Sequence, residues 1–158
     1  MKQLQLGVIA IMLMAAPGQA AAAVVINEVL ADPSGDANGD GTVHSTQDEF
    51  VELANTGAGA VSLDQWTLSD ALQVRHRFDA GSLIPAFGLL VVFGGGSPAE
   101  VLNAMIASSG SLSLNNAGDT VTLRDAGGAV IEMFTFGSNG NQDASLVRSP
   151  DGAPSTIR

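Results

Sequence analysis

Asp36, Asn38 and Asp40 set an oxygen-bearing side chain at every second residue, and Gly41 follows at once. A hard cation such as Ca²⁺ takes several oxygen ligands, and a short loop supplies them only if it turns sharply, as glycine allows at the sixth position of an EF-hand loop. With Asp36 as position 1, Asn38 stands at 3, Asp40 at 5, Gly41 at 6 and the Thr42 carbonyl at 7. His44 falls at position 9, where water often mediates the contact. Gln47 occupies position 12, and an amide cannot give the bidentate carboxylate that closes such a loop. The nearest carboxylates, Asp48 and Glu49, come one and two residues later. The expectation is a structural calcium site drawing on Asp36, Asn38, Asp40, Thr42, Asp48 and Glu49. Weighed against it is a turn in which the same side chains cap their own backbone.

Other groupings carry weaker chemistry. Asn27 and Glu28 with Glu52 and Asn55 form a polar set on two strand candidates, where paired carboxylates could act as acid and base. Strand alternation produces such sets routinely, so a solvated face with backbone-bonding Asn is favoured. His44 and His76 are the only histidines, and neither sits in a GxSxG elbow or an HExxH helix. The triplet Arg75-His76-Arg77 reads as a charged strand edge that discourages aggregation. Gly94-Gly95-Gly96 stands before a capped helix and could hold an anion there, but the Lys-Ser/Thr of a phosphate loop is absent. No catalytic residue is assigned.

These groups need a scaffold, and the 158 residues suffice for one domain. Met1-Lys2-Gln3, the apolar run from Leu4 to Ala16 and the small residues up to Ala23 predict a cleavable signal peptide over 1–23, with the domain over 24–158. The run is shorter than the ~20 residues a spanning helix needs, so no membrane span is expected after cleavage. The protein would then be secreted, periplasmic or at the cell surface. Cysteine is absent, so no disulfide can stabilise the fold. With 16 acidic and 6 basic residues the formal charge is -10, which disfavours nucleic acid and anionic membranes as partners.

Short apolar stretches separated by Gly, Asn, Asp and Ser predict an all-β sandwich. The strand candidates are Val24 to Leu30, Phe50 to Ala54, Val61 to Leu63, Trp66 to Leu68, Val74 to Phe78, Leu89 to Phe93, Leu112 to Leu114, Val121 to Leu123 and Val130 to Phe136. Leu89 to Phe93 is the most apolar and is expected centrally, buried on both faces. Trp66, the only tryptophan, is expected in the core. Ser97 as N-cap, Pro98 at the first helical position and Glu100 three residues after the cap predict one short helix through Ile106. From about residue 137 an irregular tail is expected, with Ser145 to Arg148 its one strand-like piece.

Three segments carry a family resemblance. They are Ile26-Asn27-Glu28-Val29 with Asp48-Glu49-Phe50-Val51-Glu52-Leu53 and Asn55; Leu63-Asp64-Gln65-Trp66-Thr67-Leu68-Ser69-Asp70; and Leu112 to Leu123 with Ser145-Leu146-Val147-Arg148. From Val25 to Asp151 the chain resembles the bacterial lamin-tail domain, an immunoglobulin-like module first known from nuclear lamins. The resemblance implies an immunoglobulin-like β-sandwich, in agreement with the strand count. It also implies a binding and assembly module, which in bacteria accompanies phosphoesterases and nucleases that carry the catalysis. The basic surface of nucleic-acid-binding relatives is not evident. The chain stops soon after Gly152, where relatives continue, so a last segment of the pattern is expected to be absent. The combined expectation is an exported, noncatalytic module that binds a protein or cell-envelope partner, with self-association through strand edges open to it. The alternative is a cation-dependent hydrolase or an accessory module of a phosphoesterase or nuclease system.

Overall fold

The computed structural model describes residues 24–98, 101–150 and 152. The expected signal peptide lies outside the described residues, as do Ala99, Glu100, Asp151 and the last six residues. Eleven strands are present among the described residues: β1 (Val24–Leu30), β2 (Phe50–Asn55), β3 (Val61–Ser62), β4 (Thr67–Ser69), β5 (Val74–Arg77), β6 (Leu83–Ile84), β7 (Leu89–Phe93), β8 (Ala104–Ile106), β9 (Asp119–Arg124), β10 (Val130–Phe136) and β11 (Leu146–Val147). They form a five-stranded sheet ordered β11-β1-β2-β7-β8, a four-stranded sheet ordered β10-β9-β4-β5, and the small pair β3-β6.

The core lies between the inner faces of the two large sheets. Ile26, Val29, Val51, Leu53, Leu90 and Val92 come from the first, and Leu68, Val121 and Leu123 from the second. Alternation along each strand sends the residues between these to the outer faces. β1, β7 and β10 span the stretches expected from sequence. β7 lies one strand in from the edge, and Val91 and Phe93 on its outer face are nearly as buried as the core, although Leu89 is 42% exposed. Trp66 is only partly buried and packs against the core from just before β4.

The helix expected from Ser97 to Ile106 is not formed over the described part of that stretch. Residues 101–103 turn, Asn103 adopts a left-handed φ of 58°, and Ala104–Ile106 runs as β8, parallel to β7. A helix this short is marginal alone. The edge of β7 offers the same residues a hydrogen-bonded ladder, and the ladder prevails. The strand expected at Leu112 to Leu114 is likewise irregular, yet Leu112 and Leu114 are buried and plug one end of the sandwich.

Candidate functional site

The segment between β1 and β2 carries the oxygen-rich loop, and its side chains turn inward on their own backbone. Asp36 accepts N–H bonds from Asp40 at 3.1 Å and Gly41 at 2.8 Å, one on each oxygen. Asn38 Oδ1 accepts from Asp40 N at 2.9 Å, and Asp40 Oδ1 from Thr42 N at 2.9 Å. Gly39 and Gly41 take φ values of 72° and 89°, a region closed to most side chains. Asp48 then folds back under the loop, fully buried, accepting from Asn38 N at 3.0 Å and His44 N at 2.7 Å.

Glu49 does not join them. Its Oε2 accepts from Leu114 N at 3.4 Å, across 65 positions of sequence, so it holds the plug segment rather than the loop. Only 2% of the residue is exposed. Burial pushes its carboxyl up to about 7, against the lowering effect of the Leu114 and Ser113 N–H groups and of Arg75. Asp48 ends a turn, its N–H donating to the His44 carbonyl at 3.1 Å, and Glu49 lies between that turn and β2, so the two side chains part toward the loop and toward Leu114.

The triple glycine forms the floor of the loop, a role its sequence context as a strand stop before a helix did not show. Gly94 N donates to the Glu49 carbonyl at 2.8 Å and Gly95 N to the Gln47 carbonyl at 3.1 Å. Asn38 Nδ2 donates to the Gly95 carbonyl at 3.2 Å, and Ser97 N to Asp40 Oδ2 at 3.1 Å. A Cβ on Gly94 would lie 1.9 Å from the Thr46 carbonyl oxygen, and one on Gly96 2.3 Å from Asn38 Nδ2 and 2.4 Å from Asp40 Oδ2. Glycine is required because the loop backbone rests directly on this strand end.

The donor types fit a hard cation, since each carboxylate oxygen that accepts one N–H keeps a second lone-pair direction. Asp36, Asn38, Asp40 and the buried Asp48 are linked to one another through the loop's backbone. Among the described residues, however, no three His, Asp or Glu side chains converge as a ready metal centre.

The remaining polar groups also hold backbone in place. Asn27 Nδ2 donates to Glu52 Oε1 at 2.7 Å, and Asn55 ties Gly59 and Pro85 carbonyls to the end of β2. Asp119 accepts from Ala71, Thr120 and Asn115 N–H groups, joining three segments. The Arg75-His76-Arg77 triplet divides three ways. Arg75 is paired with Asp70 at 2.5 Å, and Arg77 is exposed. His76 is buried edge-on to Phe78, with centroids 4.5 Å apart. Its Nδ1 accepts from Ser108 N at 3.2 Å, and its Nε2 has no hydrogen-bond partner. Burial pushes the imidazole below its usual range, opposed by the Ile106 carbonyl and Asp79. It lines an open surface cleft of about 660 Å³ with Asp79, Ser82, Met105 and Ile106.

A family model for the lamin tail domain matches residues 17–138. The chain belongs to the lamin tail domain family. That family is an immunoglobulin-like domain of binding and structural character, and the all-β architecture described above is in keeping with it. A comparison with curated proteins gives no match. The lamin tail domain match takes in the loop, its glycine floor and β1 to β10, so the residues that build the site lie inside it. No helix among the described residues is long and apolar enough to cross a membrane.

Proposed function

We propose that this lamin tail domain is an exported, noncatalytic module that binds a protein or cell-envelope partner, and that a structural calcium ion orders the loop between its first two strands. The observation that carries the reading is how the acidic side chains are used. Asp36, Asp40, Asp48, Glu49 and Asp119 each accept backbone N–H groups of loops, which is structural work. Calcium would draw on Asp36, Asn38, Asp40, the Thr42 carbonyl and Asp48. Glu49, committed to Leu114, is left out of that set. A cation would offset the mutual repulsion of three carboxylates in one short loop and fasten it to the glycine floor. Export is supported by the leader-like residues 1–23.

Thermal unfolding with saturating Ca²⁺ and with chelator tests the loop. A ligand at 100 times its Kd adds about 2.7 kcal/mol, which raises the melting temperature by several degrees. Asp40→Ala should abolish the rise, and an equal melting temperature in both conditions would refute the calcium role. Phosphoester and ester substrates should remain intact, and hydrolysis lost on Asp40→Ala would overturn the noncatalytic reading.

A further inference from the structure

The edges of β5 and β8 lie on the same side of the sandwich and differ in what they leave free. At β5, Ser109 N donates to the Arg75 carbonyl at 3.0 Å and Arg77 N to Ser108 Oγ at 3.0 Å, so residues 108–109 close that edge. β8 is not closed in this way. Val91 N donates to the Asn103 carbonyl at 3.2 Å and Ala107 N to the Phe93 carbonyl at 2.8 Å. In a parallel ladder this turns the Met105 N–H and carbonyl toward β7 and those of Ala104 and Ile106 outward. Ala104 N is taken by the Val101 carbonyl at 3.3 Å, and the Ile106 carbonyl acts on His76. The Ala104 carbonyl and the Ile106 N–H are left, with no partner among the described residues.

These two groups flank Met105, and one residue of an added parallel strand uses both: its N–H meets the Ala104 carbonyl and its carbonyl meets the Ile106 N–H. An antiparallel strand would need the N–H and carbonyl of a single residue, and neither Ala104 nor Ile106 has both free. Residues level with one another across a ladder point to the same face. Met105 is level with the buried Val92 and packs against the core. The added residue would therefore send its side chain the same way, into the cleft of about 660 Å³ that Met105 lines with His76, Asp79 and Ser82. His76 gives an independent sign that a group is missing there. The residue is 6% exposed and its Nδ1 accepts from Ser108 N, so the neutral ring carries its proton on Nε2, and that N–H has no acceptor. A buried donor without an acceptor calls for a partner. Asp79, exposed and near enough to act on the imidazole, is the one carboxylate in the described lining.

We propose that β8 takes an added parallel strand from a partner protein, an extended segment whose residue opposite Met105 bears a carboxamide side chain. Charge and hydrogen-bond complementarity select that side chain: its carbonyl accepts from His76 Nε2 and its amide donates to Asp79. A carboxylate would meet Asp79 with like charge, an ammonium or guanidinium would bring a second donor to His76, and an apolar side chain would leave that donor unpaired. The main-chain bonds give affinity and the cleft gives selectivity. The inference rests on the binding-module reading and names the chemistry of its partner.

Titration of the full chain with the fluorescent peptide Thr-Val-Gln-Val-Thr, blocked at both ends, and with its counterparts bearing Glu or Leu in place of Gln, tests it. The glutamine peptide should bind saturably and about tenfold more tightly than either counterpart. In proton–nitrogen correlation spectra the Ile106 amide should shift and gain protection from exchange as it binds. Ile106→Pro removes the outward N–H without breaking the ladder to β7, so binding should be lost while circular dichroism stays that of the wild type. His76→Phe, which keeps a ring in the same place, should erase the preference for glutamine over leucine. If that variant unfolds, Asp79→Ala at an exposed position carries the same readout. Equal binding of the three peptides, binding indifferent to Ile106→Pro, or no binding up to millimolar peptide would overturn the proposal. None of these outcomes alters the calcium and hydrolysis tests, so failure here is distinguishable from failure of the module reading.

Discussion

Glu49 shows how one buried carboxyl couples the fold to pH. Its carboxyl is raised from 4.5 to about 7. The folded state thus holds this proton more tightly than the unfolded chain, and the associated stability is complete below about 4.5 and lost as pH rises through about 7. The shift corresponds to roughly 3 kcal/mol at most. Glu49→Gln, neutral at all pH, should gain on the wild type in urea unfolding as pH moves from 5 to 8, and a constant difference would refute the assignment. At Gly94 the issue is contact. Gly94→Ala puts a methyl 1.9 Å from the Thr46 carbonyl and should cost about 1–3 kcal/mol by denaturant titration. Gly59→Ala, in open space, should stay within about 0.5 kcal/mol. The oxygen spacing of Asp36, Asn38 and Asp40 was legible in the sequence because it is local. The contact at Gly94 was not, since it depends on a carbonyl 48 positions earlier.

Elements tell the same story at longer range. The stretch before β8 has a helix start signal in Ser97 and Pro98 and apolar spacing to match, yet Ala104–Ile106 is a strand. Asn103, with φ of 58°, makes the turn into it. Asn103→Ala separates the two possibilities: in a helix alanine would stabilise, whereas at a left-handed position it should destabilise by about 1–2 kcal/mol in thermal or chemical unfolding. β7 and β10 were readable because their β-branched and apolar runs are bounded by turn residues at both ends, and β1 because its run ends at Asp32-Pro33-Ser34-Gly35. β3 and β11 fall within the short stretches expected at Val61 to Leu63 and Ser145 to Arg148, whereas β6, two residues long, is defined only by its pairing with β3 and had no local pattern to announce it.

For the whole molecule, Arg148 is the tie between sheets. Its Nε donates to the Ile26 carbonyl at 2.6 Å, its Nη2 bonds Glu132, and its own N–H reaches the Asn27 carbonyl at 2.9 Å. Burial raises the Glu132 carboxyl while Arg148 lowers it, so removal of the guanidinium leaves a half-buried acid without its main counter-charge. Arg148→Ala should cost about 3 kcal/mol in equilibrium unfolding. A change under about 0.5 kcal/mol would show that solvent satisfies both partners. The tie joins positions 122 residues apart at the bond to Ile26, so strand periodicity carried no sign of it.

By itself the amino-acid sequence determined the fold class, the family-bearing segments, the acidic balance and the place of an oxygen-rich loop between two strands. Each of these is set by neighbours within a few residues, through alternation, turn chemistry and composition. Tertiary structure alone decided that Asp48 turns into the loop while Glu49 turns to Leu114, that three glycines floor the loop, and that β8 is a strand with an open outer edge. Those outcomes depend on register between strands and on close approach of distant backbone, where the energy of a contact belongs to two segments at once.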